Sequence, residues 1–181
     1  YLSMMDKKKS LLLLTAVAAG TTLYNILKPV RSTVPVVQGF KKEKYLGDWY
    51  EIARIDFYWE KNLKNVMATY SLDDEGSIKV LNQGYDMVKE KYKQSIGKAK
   101  FIRNEDEGAL KVSFFGPFYS GYNVVMIDED YDYALVFGEN LDYMWILSRS
   151  KQIPDEIKER YLNYARQCGY KVDRLVWTEQ D

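Results

Sequence analysis

From Tyr45 to the C-terminus, apolar and polar residues alternate with a period of two, and turn residues break the alternation about every ten positions. A period of two sends successive side chains to opposite faces of a strand, so this stretch predicts an antiparallel barrel or sandwich. Eight strands are expected, at 48–57, 66–72, 77–85, 91–101, 109–115, 121–127, 133–137 and 143–148. Turns rich in Asp, Asn and Gly join them, as at 73–76, 104–108 and 138–140, and Gly116-Pro117 ends the fifth strand. Eight strands can close on themselves, which removes exposed edges and leaves an interior wide enough for one small ligand.

The period then changes. Pro154 suits the first turn of a helix, Asp155 and Glu156 complement its dipole, and Gly169 can end it. Ile157, Tyr161, Tyr164, Ala165 and Cys168 make one apolar stripe on that helix, so Cys168 is expected to act as a small buried hydrophobe. A last strand follows at 170–177. The fold class is therefore all-β: an antiparallel barrel or sandwich of eight strands with one C-terminal α-helix and a short ninth strand.

Composition excludes much chemistry. The chain has 181 residues, the length of one domain, with no histidine and a single cysteine. That removes the usual general base, the commonest metal ligand, every Ser–His or Cys–His pair, and intrachain disulfides. A haem would have to use Tyr or Met as its axial ligand. Acidic runs such as Asp73-Asp74 and Asp128-Glu129-Asp130 fall in turns, where solvation explains them. No enzyme activity, metal or cofactor is expected.

A formal net charge of zero conceals two parts. Residues 1–44 hold Lys7, Lys8, Lys9, Lys28, Arg31, Lys41, Lys42 and Lys44 against Asp6 and Glu43, a net +6, and the rest carries the balancing −6. An acidic body argues against nucleic acid as a partner. Behind the three lysines, residues 11–27 lack charge, so 1–27 reads as an export signal or a retained membrane anchor. Residues 28–39 contain Pro29 and Pro35 and read as a linker; 40–181 is the folded domain.

Three motifs give the chain a family resemblance. Gly47-Asp48-Trp49-Tyr50-Glu51-Ile52-Ala53-Arg54 opens the first strand, Asp130-Tyr131-Asp132-Tyr133-Ala134 precedes the seventh, and Trp145-Ile146-Leu147-Ser148-Arg149 ends the eighth. In this order, with a helix and ninth strand behind them, they make the chain resemble a lipocalin from about Phe40 to Trp177, which implies an eight-stranded antiparallel up-and-down β-barrel with one C-terminal α-helix and a short ninth strand. The second motif departs from the family by placing an acid where it has threonine. Leu110–Tyr119 and Gly121–Val124 look like the bacterial outer-membrane branch, relatives of apolipoprotein D. Members of that branch usually carry an acylated N-terminal cysteine. The single cysteine here is Cys168, so acylation is expected to be unlikely and the protein is placed in a bacterial cell envelope, periplasmic or membrane-associated.

The resemblance implies that Trp49 closes one barrel end with Arg149 across it, and that Gly47 and Tyr131 serve the same structural motif. Alternation from Trp49 then sends Glu51, Ala53 and Ile55 inward, with Ala68, Tyr70, Ile78, Val80, Asn82, Val112, Phe114, Tyr122, Val124, Met126, Tyr143 and Trp145 on later strands. From this set the ligand-binding residues are expected to be Glu51, Ala53, Tyr70, Asn82, Val112, Phe114, Tyr122, Val124, Tyr143 and Trp145. An inward Glu51 needs a partner, and a tyrosine hydroxyl is the expected one. Tyr119 and the segment 114–122 form an aromatic lip suited to a membrane or to local packing. The implied function is an exported, envelope-associated carrier of fatty acids, lysophospholipids or similar ligands. The alternative is a barrel packed solid with its own side chains. The expected partners are a lipid-like ligand and, through the N-terminal segment, a membrane; a homodimer is also left open.

Overall fold

The computed structural model describes residues 34–181, so the expected signal or anchor at 1–27 lies outside the described residues, as does most of the linker. The chain enters through a single helical turn, α1 (Lys42–Tyr45), and then runs as β1 (Gly47–Ile55), β2 (Leu63–Leu72), β3 (Ile78–Asp86) and β4 (Lys91–Phe101). It continues through β5 (Ala109–Phe115), β6 (Phe118–Ile127), β7 (Tyr133–Phe137), β8 (Met144–Ser148), α2 (Asp155–Gln167) and β9 (Leu175–Trp177). Every pairing is antiparallel and β2 to β8 follow in chain order. β1 pairs with β8 on one edge and with β2 on the other, which closes the barrel.

Several boundaries differ from the sequence expectation, β1 ending at Ile55 and β2 starting at Leu63 among them. The last strand begins at Leu175 because Val172–Arg174 forms a 3-10 turn. The reason is the space left on β1: β2 occupies that edge from Gly47 to Tyr50, so β9 finds only Ala53, Arg54 and Ile55 to pair with. β6 starts three residues earlier than expected, because Gly116, at φ +56°, tightens the chain so that Phe115 pairs directly with Phe118.

The sheet has a core on each face. Inside the barrel lie Phe40, Tyr45, Trp49, Tyr70, Ile78, Val80, Leu110, Val124 and Val136. Outside, α2 lays Tyr161, Leu162 and Ala165 on Ile52, Ile55, Leu135, Phe137, Met144 and Ile146. Tyr164 and Cys168 pack at the margin of this second core, and the Cys168 thiol is free. Within the expected linker, Val37 donates its N–H to the Val124 carbonyl at 2.9 Å and accepts from Gly108 at 2.8 Å. Those last residues therefore lie against the barrel. Among the described residues no helix is long and apolar enough to cross a membrane, and no group of side chains is arranged to hold a metal ion.

Candidate ligand site in the barrel

One end of the barrel is shut. α1 crosses it, and Tyr45 packs on Trp49 with ring centroids 5.0 Å apart while its carbonyl accepts the Trp49 indole N–H at 2.8 Å. The Arg149 guanidinium lies 3.9 Å from the centroid of the Trp49 ring. It also donates to four carbonyls, those of Asp48 (2.7 Å), Lys44 (2.7 Å), Leu46 (2.9 Å) and Tyr131 (3.1 Å). One planar fork thus satisfies the ends of α1, β1 and the β6–β7 turn while covering an indole face. Gly47, at φ +93°, has a backbone conformation that side chains disfavour, and a Cβ there would stand 3.4 Å from Arg149. Tyr131 also has positive φ, 63°, and its hydroxyl accepts the Lys41 N–H at 2.9 Å.

Above this floor the interior is aromatic. The Tyr122 hydroxyl joins those of Tyr45 (2.6 Å) and Tyr70 (2.7 Å), and burial pushes all three phenols up from their ordinary value. Val124 is fully buried in this core, with Val112 and Trp145 packed against it. Tyr143 and Trp145 stack 6.3 Å apart, and Phe57 stands edge-on to both. Asn82 carries a buried Oδ1 with no partner among the described residues.

The open end holds a buried charge group. Arg54 donates from Nη1 to Glu51 at 2.7 Å and from Nε to Asp56 at 3.0 Å, and Thr178 donates to the same Glu51 carboxylate at 2.5 Å. Glu60, from the β1–β2 loop at 56–62, reaches in and accepts the Trp145 indole N–H at 3.1 Å. Burial, followed by the negative charge of Glu51, lifts the Glu60 carboxyl well above the ordinary carboxylate range.

The interior therefore gathers Glu51, Tyr70, Val112, Tyr122, Val124, Tyr143 and Trp145, with Asn82 on the same face of β3 as Val80. It does not gather Ala53. A β-bulge in β1 between Glu51 and Ala53 turns Ile52 and Ala53 together toward α2, and Ile55 follows them. A second irregularity, between Val124 and Met126 in β6, likewise sends Met126 to the helix side. Phe114 is half exposed, its ring lying over Gly97, where a Cβ would come within 2.7 Å. The partners of Glu51 are Arg54, Thr178 and the Glu60 carboxyl rather than a tyrosine.

Alternation alone misses Arg54 and Glu60. Arg54 had a signal, since an inward carboxylate needs a cation and Arg54 is the one basic residue of β1. Glu60 had none, because it lies in a loop. Two surface cavities, of about 580 and 320 Å³, lie outside the barrel, one beside α2 and β9 and the other beside β2 and the C-terminal residues. Neither is lined by residues of the barrel interior, and at the mouth Glu60 stands against Trp145.

The description "Lipocalin-like domain" fits residues 40–180. The outer membrane lipoprotein Blc of Citrobacter freundii is 46% identical over 172 residues, covering 93% of this chain and 97% of that protein. Apolipoprotein D of Macaca fascicularis is 32% identical over 154 residues, covering 81% and 80%. The fold is shared with the cockroach allergen Per a 4, at TM-score 0.66 and 21% identity over 85% of this chain and 97% of that one. These relatives correct one expectation. Acylation was expected to be unlikely because Cys168 is the single cysteine, yet relatives from Citrobacter freundii, Escherichia coli and Vibrio cholerae are all named outer membrane lipoproteins. Counting cysteines along one sequence is overruled by that shared name. The closed barrel, the outer helix and ninth strand, and the match across residues 40–180 together establish that this chain belongs to the lipocalin family.

Proposed function

We propose that this protein is an exported, envelope-associated carrier that binds a single-chain amphiphile inside its barrel. The observation that carries this reading is the interior lining. Ile78, Val80, Leu110, Val112 and Val124 give the interior an apolar lower lining beneath an upper one of Tyr122, Tyr143 and Trp145. Burying an alkyl chain against such a lining gains about 0.8 kcal/mol per methylene. The rim supports the same reading. All four loops at the open end expose large apolar side chains: Tyr58 and Trp59, Met87 and Val88, Phe115 and Phe118, and Leu141. A patch spread over four separate loops suits contact with a lipid surface from which the ligand would be taken.

Native mass spectrometry of protein purified from its own membranes tests the reading. The expected result is a bound lipid, displaced in solution by a fluorescent fatty-acid or lysolipid probe. Protein free of lipid that also fails to bind the probe overturns it. The reach of the Glu60 side chain inward to Trp145 favours a second reading, a barrel packed solid with its own side chains. Under that reading the β1–β2 loop never opens, and amide exchange at 56–62 would be as slow as in β1.

A further inference from the structure

Resting on the carrier reading, we propose that the mouth of the barrel selects amphiphiles whose head carries an ammonium group, with Glu60 as its counter-ion and the surrounding rings as its cage. Three observations converge on this. The first is charge: Glu51, Asp56 and Glu60 meet at the mouth with Arg54 alone to balance them, and Arg54 is already engaged by Glu51 and Asp56. Glu60 accepts the Trp145 indole N–H and hydrogen-bonds with Glu51, so its carboxyl favours the neutral form until a cation is brought beside it. A carboxylate head would add another negative charge to this group, whereas an ammonium supplies the missing positive one.

The second observation is the wall. Trp145 holds Glu60 directly and stands among Tyr143 at 6.3 Å, Tyr122 at 6.5 Å and Phe57 at 5.9 Å between ring centroids. Ring faces attract cations, trimethylammonium heads included, and Trp is the best of them. The third is position. Glu60 belongs to the loop at 56–62, between the exposed Tyr58 and Trp59 and the interior, so it accompanies whatever passes the rim. The alkyl chain then lies below, toward Val80 and Val124, and the head stays at the mouth.

The test compares four ligands below their micellar concentrations: lysophosphatidylcholine, lysophosphatidylglycerol with the same chain, an alkyltrimethylammonium, and a neutral monoacylglycerol. Binding is read by calorimetry and by Trp emission. Wild-type protein should bind the two ammonium ligands at least about tenfold more tightly than lysophosphatidylglycerol. Glu60→Gln should reduce that preference to about threefold or less without weakening the monoacylglycerol. Trp145→Leu should weaken the ammonium ligands more than the neutral one, and melting curves of both variants confirm that they fold. Preference for the alkyltrimethylammonium without preference for lysophosphatidylcholine supports the ammonium cage and assigns it to amines lacking a phosphate. Equal binding of all four ligands, or a preference that survives Glu60→Gln, overturns the proposal and leaves the carrier reading standing. Failure of every ligand to bind, the monoacylglycerol included, overturns both.

Discussion

At the scale of single residues, Trp49 and Arg149 illustrate how one pair can do several jobs. Trp49 is fully buried; its indole N–H and its ring both engage Tyr45, and its face carries Arg149. Trp49→Ala removes the ring on which Arg149 and Tyr45 both rest, and should destabilise the fold by about 3–5 kcal/mol. A denaturant midpoint unchanged from wild type would contradict that. Glu60 makes the opposite case, a residue that weakens the structure it belongs to. Its carboxyl is raised in the folded protein, so folding favours the protonated form. Stability is then full below about pH 4.3, the ordinary value for Glu, and declines as pH rises toward the elevated folded value. Glu60→Gln mimics the protonated form. It should melt with wild type at low pH and above it at pH values where the wild-type carboxyl is forced to ionise.

Elements owe their geometry to a few such side chains. The β3–β4 turn is held by Asp86, whose Oδ1 accepts the N–H groups of Val88 (3.1 Å) and Lys89 (2.9 Å) and whose Oδ2 pairs with Lys93 at 2.8 Å. Lys93, then the backbone donors, hold this carboxyl down at about 2. A depressed carboxylate stabilises the fold above its unfolded value of about 3.9 and loses that contribution as pH falls through its folded value. Acid unfolding monitored between those limits should therefore include Asp86, and Asp86→Asn should flatten the curve there. A profile identical to wild type would show that the turn does not depend on the charge. The bulge in β1 matters just as much, because it alone puts Glu51 and Arg54 on one face while Ile52 and Ala53 serve the helix side.

For the molecule as a whole, closure is shared between two devices. β1 and β2 pair directly near the shut end, and beyond Tyr50 they part. The C-terminal residues fill the gap. Gln180 Nε2 donates to the carbonyls of Glu51 and Val66, each at 2.9 Å, Thr178 donates its N–H to Ile52, and Asn65 donates to Glu179. With hydrogen bonds worth roughly 1 kcal/mol each, deleting residues 178–181 should cost about 2–4 kcal/mol. The same deletion should speed amide exchange in the second half of β1 more than in its first half. Equal exchange along β1 would mean that the tail closes nothing.

Much of this was legible in the residues themselves. Alternation with regular turns dictates the strand order, since short hairpin links leave each strand its chain neighbour as partner. The stripe on 157–168 dictates a helix with one buried face, and the three motifs single out Gly47, Trp49, Tyr131 and Arg149, which come together at the shut end around the Arg149 guanidinium. Inward residues were legible wherever the period of two held, as at Tyr70, Val112, Tyr122, Val124 and Trp145. The period failed at Ala53, Ile55 and Met126, because a bulge costs one residue of phase and leaves no mark in local composition. Sequence by itself thus determined the antiparallel strands and the helix, which follow from local periodicity and short connections, and its motifs, through their resemblance to the lipocalins, pointed to the closed barrel and its sealed floor. Only the tertiary structure decided the mouth, where Glu51, Arg54, Glu60, Trp145 and Thr178 meet, because burial of charge is settled by which distant segments arrive at one place.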